Sequence, residues 1–469
     1  MKISFDNSFA QLPDGFYTRL HPTSVAAPKL LAFNESLSTD LGIAAATPDD
    51  IAAVFSGNEI PQGAAPLAQL YAGHQFGNYS PQLGDGRAIL LGEVLAADGT
   101  RRDIQLKGSG PTPYSRMGDG RAWLGPVLRE YVVSEAMHAL GIPTTRALAA
   151  VATGENIWRE QGALPGAVLT RIAASHLRVG SFQVFAHRAE IENLKTLTQY
   201  AIDRHYPQAR GPMDLLRAVC ARQADLVTRW MSVGFIHGVM NTDNSTISGE
   251  TIDYGPCAFM DAFHQNRVFS SIDQQGRYAY GNQPGIIVWN MAQLATSLIQ
   301  QCDDRDAAVQ EATEIVHAMP QLLEDGWLTR FAAKIGIASP QAEDTKLIED
   351  LLALMQKDGA DFTNTFYALG TDQARDQFTD RAAFDLWAAR WEQRIGSVDT
   401  ARTVMAAANP AIIPRNHRIE EMIAAAVAGD MAPFERLMKA LATPFEATDT
   451  ELMRPPTAEQ IVPATLCGT

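Results

Sequence analysis

The stretch 233–256 constrains the fold most strongly, since it reads as a helix end, a polar loop, a short strand and then Asp253-Tyr-Gly255. His237 stands in the loop, and Asn244 follows it by seven residues, directly after Asp243. Taken singly, each of these residues is better explained as part of a polar turn between two buried elements. Their occurrence in this order is more specific and favours a metal-dependent phosphate site.

Protein-kinase-like folds place similar residue types in the same order. In those folds a histidine leads the catalytic loop, an asparagine of the loop binds one magnesium ion, and the aspartate of Asp-Phe-Gly binds another. Asn244 and Asp253 match the two metal positions. The usual catalytic aspartate is missing, because Val239 stands two residues after His237 and a valine cannot accept a proton. The loop does offer another carboxylate, that of Asp243, beside the metal asparagine.

The composition of the whole chain favours a globular enzyme. The chain has 469 residues, of which 46% are hydrophobic and 19% charged. It has no run of about 18 apolar residues, and its start lacks the apolar core of a signal peptide, so we expect no membrane association and a cytoplasmic, bacterial protein. The net charge of −15 argues against nucleic-acid binding. The four cysteines are widely spread, without the Cys-x-x-Cys spacing of a zinc or redox site.

The first part of the chain predicts an irregular extension and then a hairpin. Within residues 1–65 the pattern indicates a helix over 27–42 and another over 48–56. Strands are predicted over 88–95 and 102–107, joined by an Asp-Gly turn. Alternation along the second strand places Lys107 on the face opposite its apolar residues, where it could reach nucleotide phosphates. A solvated lysine is the commoner alternative for a lone residue of this type.

A helix is predicted over 126–140, between Pro126 and a Gly-Ile-Pro stop. Glu130 lies near its start and is a plausible partner for Lys107, although the helix dipole alone would also favour a glutamate there. Further strands are predicted over 145–152 and 166–172.

Arg171 and Arg178 follow these strands, seven residues apart. If that stretch were helical, both guanidinium groups would share one face and could converge on a polyphosphate. On spacing alone, two surface arginines remain the simpler interpretation.

The remainder of the chain reads as mostly helical, which predicts an α+β, protein-kinase-like, two-lobed fold. We predict an N-terminal extension over 1–65, a β-rich N-lobe over 66–180 and a helical C-lobe over 181–335 with the catalytic loop and metal site. Residues 336–469 would form a helical C-terminal extension with a cysteine-containing tail.

Longer motifs connect these segments. They are Tyr71-Ala-Gly-His-Gln-Phe-Gly77, Gln82-Leu-Gly-Asp-Gly-Arg87, Gln105-Leu-Lys-Gly-Ser-Gly110, Thr112-Pro-Tyr-Ser-Arg-Met-Gly-Asp-Gly-Arg-Ala122, Arg129-Glu-Tyr131, Gly234-Phe-Ile-His-Gly-Val-Met-Asn-Thr-Asp-Asn244 and Thr251-Ile-Asp-Tyr-Gly-Pro256. With these motifs the chain resembles the selenoprotein O family, the pseudokinase-like protein adenylyltransferases, over nearly its whole length. The resemblance implies that ATP, the co-substrate, binds inverted in a kinase-like site. AMP would pass to Ser, Thr or Tyr hydroxyls of protein substrates, with release of pyrophosphate.

The resemblance also implies residue roles. Asp243 would be the catalytic base, with Asp253 as the alternative, and Asn244 and Asp253 would bind Mg²⁺ or Mn²⁺. Lys107 would hold phosphates and pair with Glu130. The residues expected to bind the nucleotide are Gly84, Gly86, Arg87, Lys107, Asp119, Gly120, Arg171, Arg178 and Asp253.

A redox role is implied for the tail, because some family members have selenocysteine at the position that Cys467 matches. The chain has no cysteine between 258 and 301, which leaves Cys257 as the nearest partner for a disulfide. Two alternatives to AMP transfer stay open from the sequence. One is a kinase that transfers the γ-phosphate with a displaced base, and the other is an ATP-binding scaffold without turnover. The presence of both Asn244 and Asp253 argues against a scaffold, which needs neither.

Overall fold

The computed structural model describes residues 1–160, 162–371 and 373–466. Its architecture is α+β, as predicted, with an antiparallel sheet in the first half and helices through most of the rest. The strands, in chain order, are β1 (Tyr17–Arg19), β2 (Lys29–Phe33), β3 (Leu67–Gln69), β4 (Gly73–Gln75), β5 (Asn78–Ser80), β6 (Ala88–Leu95), β7 (Arg101–Lys107), β8 (Ala122–Trp123), β9 (Arg146–Arg159), β10 (Gly162–Ala173), β11 (Phe235–Ile236) and β12 (Ala258–Phe259).

The helices are α1 (Glu35–Asp40), α2 (Pro48–Phe55), α3 (Leu124–Ala139), α4 (Val179–His187), α5 (Ile191–His205), α6 (Pro212–Ser232), α7 (Gln283–Ile299), α8 (Arg305–His317), α9 (Met319–Lys334), α10 (Asp344–Asp358), α11 (Phe362–Leu369), α12 (Arg381–Ile395), α13 (Val398–Ala408), α14 (Asn416–Val427), α15 (Ala432–Leu441) and α16 (Thr450–Met453). Of the helices that the structure describes, none has the length and apolar character needed to cross a membrane.

Within the described residues, eight strands form the main sheet in the order β1-β3-β6-β7-β10-β9-β2, with β8 paired to β10. The alternation along β7 decides what each face of the sheet does. Ile104 and Leu106 are fully buried in a small core together with Phe55 of α2 and Leu37 of α1. Their neighbours Gln105 and Lys107 therefore project from the opposite face, as the sequence predicted. That face carries the charged side chains of the site.

The predicted helix over 27–42 is wrong in its first half. Residues Lys29–Phe33 form β2, which pairs antiparallel with β9 at the sheet edge. Only α1 is helical here, and Asn34 caps it by accepting a hydrogen bond from the Leu37 backbone at 3.0 Å. Strand pairing has overridden the local helical pattern, and both edge strands of the sheet, β1 and β2, come from residues 1–65.

The C-terminal helices α14 and α15 pack on α3, which is the helix that carries Glu130. The rings of Tyr131 and Phe434 meet edge to face, with centroids 5.6 Å apart. Arg129 also forms an ion pair with Glu420 of α14. The C-terminal helices thus support the back of the helix that presents one wall of the site.

Candidate active site

One cleft gathers most of the residues that the sequence singled out. It has a volume of about 270 Å³ and lies where the glycine-rich segments and the ends of β6 and β7 face the loop after β11. The predicted residues that line it are Gly84, Gly86, Arg87, Lys107, Asp119, Gly120, Arg171, Arg178, Asp243 and Asp253. The glycines are needed for close packing, since a Cβ on Gly84 would lie 2.6 Å from the Tyr114 ring. Glu130 and Asn244 lie behind this lining.

Asp253 is the centre of the charge in the cleft. Its Oδ1 accepts hydrogen bonds from Lys107 at 3.0 Å and from Arg171 at 2.7 Å, and its Oδ2 accepts one from Arg178 at 2.6 Å. Burial alone would raise the pKa of Asp253, but the three cations hold it well below its usual range. Asp253 is therefore an anion in the folded protein at any pH near neutral.

The predicted pairing of Lys107 with Glu130 is confirmed, with 2.5 Å between Nζ and Oε2. Strand β7 presents the lysine and helix α3 presents the glutamate. Glu130 also accepts a bond from Arg171 at 3.2 Å, so one carboxylate holds two of the three cations. This arrangement fixes the lysine head inside the cleft instead of leaving it solvated.

The simpler interpretation of Arg171 and Arg178 as surface residues is wrong, since both side chains are buried, and the helix that would have placed them on one face does not form. Arg171 belongs to β10, directly across from Gln105 of β7, and its guanidinium donates to Gln105 Oε1 at 2.7 Å. Arg178 precedes α4 in an extended conformation, with its guanidinium over the Tyr71 ring at 4.7 Å. The two side chains converge nevertheless, because the chain turns back after β10 and both reach Asp253.

Asp243 also lines the cleft, in a short 3₁₀ turn over Thr242–Asn244, and its backbone carbonyl accepts a hydrogen bond from Arg178 at 2.6 Å. Its Oδ2 accepts a hydrogen bond from Gln75 at 2.9 Å. Its Oδ1 is buried and has no hydrogen-bond partner among the residues that the structure describes. Burial raises the pKa of Asp243 to about 6, against the opposing effects of Gln75 and Arg178. A carboxylate with this pKa is still mostly ionised at pH 7 and can accept a proton.

His237 holds the loop to the segment that precedes Asp253 and is not among the residues that line the cleft. Its Nε2 lies 2.8 Å from the carbonyl oxygen of Ile252, and its ring stacks on Trp230. This contact helps to explain how the next residue, Asp253, keeps a positive φ of 62°, a conformation that costs free energy outside glycine.

Sequence reasoning missed Asp85, Gln75 and Arg159, which also line the cleft. Asp85 is buried and accepts bonds from the Gln69 backbone at 3.0 Å and from Gln105 at 3.1 Å, and burial raises its pKa to about 6. The position of Asp85 between Gly84 and Gly86, two residues predicted to bind the nucleotide, could have identified it as a cleft residue. Arg159 lies 2.7 Å from Asp119, and nothing in the local sequence indicated that contact.

The residues predicted to hold a metal fit a magnesium-type ion by their donor chemistry. Asp253 offers carboxylate oxygens and Asn244 offers an amide oxygen, which are the hard ligands such an ion prefers. The Asn244 amide nitrogen donates to the Val239 carbonyl at 2.9 Å, which leaves its oxygen as the end that suits a cation. Within the described part of the chain, no cluster of three or more His, Cys, Asp or Glu side chains has metal-binding geometry.

Cys467, the predicted redox residue, lies outside the described residues. Cys257 is buried with a free thiol, and burial raises its pKa to about 12, which makes it unreactive at neutral pH. Near the end of the described chain, Thr465 donates a hydrogen bond to the Pro256 carbonyl at 2.5 Å and pairs with Ser270.

Comparisons with known proteins match the chain over most of its length. The family described as protein adenylyltransferase SelO matches residues 1–442. A protein nucleotidyltransferase YdiU of Roseobacter denitrificans is 70% identical over 465 residues, which cover 99% of each chain. Proteins of the same name are 68% identical over 469 residues in Ruegeria pomeroyi, covering 100% of this chain and 99% of that one, and 54% identical over 490 residues in Agrobacterium fabrum, covering 100% of each.

Proposed function

Because the chain belongs to the SelO family of protein adenylyltransferases, we propose that it transfers AMP from ATP to Ser, Thr or Tyr hydroxyls of protein substrates. It is a nucleotidyltransferase. One observation carries the proposal: Lys107, Arg171 and Arg178 converge on Asp253 in a cleft that is also lined by the buried carboxylate of Asp243. Cations suited to a polyphosphate thus face a group suited to accept a proton.

The position of the base supports attack on the α-phosphorus. In a kinase-like loop the base would stand at position 239, where this chain has the buried Val239. Among the residues of this loop, the carboxylate that lines the cleft is that of Asp243, four residues further along. We propose that ATP binds inverted, with its α-phosphate toward the protein substrate and its pyrophosphate portion toward the cations.

The chain's own residues then supply three functions. Asp243 accepts the proton of the attacking hydroxyl as the new bond from oxygen to the α-phosphorus forms and the bond to pyrophosphate breaks. Lys107, Arg171 and Arg178 stabilise the charge that develops on the phosphates. Glu130 and Gln105 hold these cations in place. A bound Mg²⁺ or Mn²⁺, held by Asn244 and Asp253, would supply further charge neutralisation.

The proposed two-lobed arrangement is consistent with these positions. Residues 66–180 contribute β3 to β10 and α3, and residues 181–335 contribute α5 to α9 together with the loop that carries Asp243. Residues 336–466 contain α10 to α16, the helices proposed as a C-terminal extension.

The proposal is tested by ATP labelled on the α- or the γ-phosphorus, incubated with the protein, a mixture of candidate protein substrates and Mg²⁺. Label from the α-phosphorus should enter protein, label from the γ-phosphorus should not, and a phosphodiesterase should release AMP. The Asp253→Ala variant is the negative control. Transfer of the γ-label alone would make the chain a kinase, and transfer of neither label would make it a scaffold.

A further inference from the structure

We infer that Gln75 is a positioning residue for Asp243, an inference that rests on the proposed function. Gln75 ends β4, in the glycine-rich segment that precedes the main hairpin of the sheet. Its amide nitrogen donates to Asp243 Oδ2 at 2.9 Å, across 168 residues of sequence. Within the described residues this is the sole side-chain hydrogen bond to that carboxylate, because Oδ1 has no partner. Without it, nothing polar fixes the rotation of the carboxylate group about its χ2 bond.

The backbone of β4 is held against the catalytic loop residue by residue. The His74 backbone N–H donates to Thr242 Oγ1 at 2.7 Å, and the Phe76 backbone N–H donates to Asn241 Oδ1 at 3.1 Å. Tyr278 reinforces the second contact by donating to the same Asn241 oxygen at 2.6 Å. Because its neighbours on both sides are anchored to the loop, Gln75 has little freedom to move away from Asp243.

Gly73 completes this support from the other side of the carboxylate. A Cβ at Gly73 would lie 2.7 Å from Asp243 Oδ1 and 2.9 Å from Asp243 Cβ, which is closer than van der Waals contact allows. The absence of a side chain at Gly73 therefore lets the hairpin approach near enough for the Gln75 amide to reach Oδ2. Gly73 packs against one oxygen while Gln75 binds the other, and together they set the plane of the carboxylate.

This arrangement predicts an effect on turnover more than on ATP binding. A hydrogen bond to a charged group that also orients it is worth roughly ten- to a hundredfold in an equilibrium or rate. The groups proposed to bind phosphates, Lys107, Arg171 and Arg178, are held by Asp253 and Glu130 and should keep their positions when Gln75 is replaced. A misplaced base lowers the rate of the chemical step and leaves nucleotide affinity nearly unchanged.

The experiment compares Gln75→Leu with the matched variant Asn78→Leu in the full chain. Asn78 faces Gln75 across the two-stranded β4–β5 ribbon, and its side chain is exposed. We expect Gln75→Leu to lower kcat about tenfold or more, with KM for ATP within about threefold of wild type. Asn78→Leu should match wild type in both, and thermal melting should show that both variants are folded. Gln75→Glu, which keeps the size but removes the donor, should be at least as slow as Gln75→Leu.

A kcat for Gln75→Leu within twofold of the Asn78→Leu value would overturn the inference. A raised KM with normal kcat would overturn it as well, since Gln75 would then be a nucleotide contact. The wild-type protein is assayed with ATP labelled on the α-phosphorus and with ATP labelled on the γ-phosphorus. The kcat of each variant is then compared with the wild-type kcat for whichever label the wild type transfers, so that a failure of AMP transfer is distinguished from a failure of the Gln75 inference. If the wild type transfers neither label, a crystal structure of Gln75→Leu decides, and an unchanged Asp243 rotamer refutes the positioning role.

Discussion

Two buried charge clusters lie on the same face of the sheet, at opposite ends of β7, and only one of them opens to a ligand. At one end, Lys107 joins Glu130, Arg171 and Asp253 in the cleft. At the other end, Asp103 lies 2.5 Å from Arg204, which also pairs with Glu93 of β6 at 2.9 Å. Gln105 lies on the strand between the two clusters. We call them the open cluster and the closed cluster.

The two clusters differ more in the solvent exposure of their carboxylates than in the residue types that they contain. The Asp253 side chain is 21% exposed, whereas the side chains of Asp103 and Glu93 are 2% and 1% exposed. In the closed cluster the two carboxylates face two guanidinium groups, those of Arg204 and Arg101, and further polar contacts go to the backbone, Ser8, Tyr200 and His176. The open cluster has three cations, Lys107, Arg171 and Arg178, around the two carboxylates of Asp253 and Glu130, and this positive excess suits an incoming phosphate. The comparison teaches that buried ion pairs indicate function only where they border a cavity.

The largest expected effect is on the open cluster. Asp253→Ala removes the carboxylate that gathers Lys107, Arg171 and Arg178 and that is proposed to hold a metal ion. Because charge stabilisation and positioning are lost together, AMP transfer should fall on the order of 10⁴-fold. The rate of label transfer from α-labelled ATP measures this. Full activity would remove Asp253 from the reaction and make the open cluster structural, like the closed one.

The second effect should fall on stability. Arg204→Met removes the guanidinium partner of the buried Asp103 and leaves Glu93 with Arg101 at 3.4 Å, so the free energy of unfolding should drop by about 3–5 kcal/mol. Chemical denaturation measures it. The control is Arg217→Met on α6, because Arg217 and Glu311 form a surface pair that is worth at most about 1 kcal/mol.

At low temperature the folded Arg204→Met protein should transfer AMP at nearly the wild-type rate. Equal destabilisation by the two arginine variants would contradict the distinction between closed and surface ion pairs. A selective loss of activity in Arg204→Met would show that the closed cluster contributes to the reaction.

The third effect concerns Asp243, the proposed base, which lines the same cleft as the open cluster. Asp243→Ala should lose at least about a hundredfold in AMP transfer, because proton removal by a positioned base is worth about 10²–10⁴-fold. Binding of ATP, measured by titration calorimetry, should change much less, since the cations that bind phosphates remain. Loss of ATP binding together with activity would assign Asp243 to the metal site instead.

Local patterns in the sequence predicted the elements of the open cluster but not the way they meet. The alternation in β7 gave the direction of Lys107, and the Pro-to-Gly boundaries gave helix α3 with Glu130, so their pairing could be predicted. Arg171 lies in the strand predicted over 166–172, but its place across from Gln105 was not predicted, because the pairing of β10 with β7 depends on residues far apart in the chain.

The closed cluster and the support of Asp243 were not predicted at all, and the reason is sequence separation. Gln75 and Asp243 are 168 residues apart, and Asp103 and Arg204 are 101 residues apart. A lone glutamine, arginine or aspartate carries no local signal of its partner. Such contacts follow from the packing of α4, α5 and the β4–β5 ribbon against the sheet, which periodicity alone does not fix.

The smallest expected effect is a pH dependence of stability that arises in the closed cluster. His176 is fully buried in the closed cluster, with Nδ1 2.8 Å from Asp103 Oδ2, and burial lowers its pKa to about 4 in spite of that carboxylate. The positive charges of Arg171 and Arg178 in the cleft also lower the pKa of His176. In the unfolded chain a histidine has a pKa of about 6.5, so the unfolded state binds the proton first as the pH falls. The contribution of neutral His176 to the free energy of unfolding is therefore fully present above about pH 6.5 and is lost progressively as the pH falls to about 4.

Between pH 6.5 and pH 5 this loss should be about 1–2 kcal/mol in the free energy of unfolding. His176→Gln keeps a polar side chain but cannot titrate, so the slope of stability against pH should be shallower than in the wild type over this window. The comparison is made by urea denaturation at a series of pH values, with His187→Gln as the control, because His187 lies at the end of α4 outside the closed cluster. Identical slopes in wild type and His176→Gln would mean that His176 is not held neutral. The closed cluster would then admit a proton, and access would no longer distinguish it from the open one.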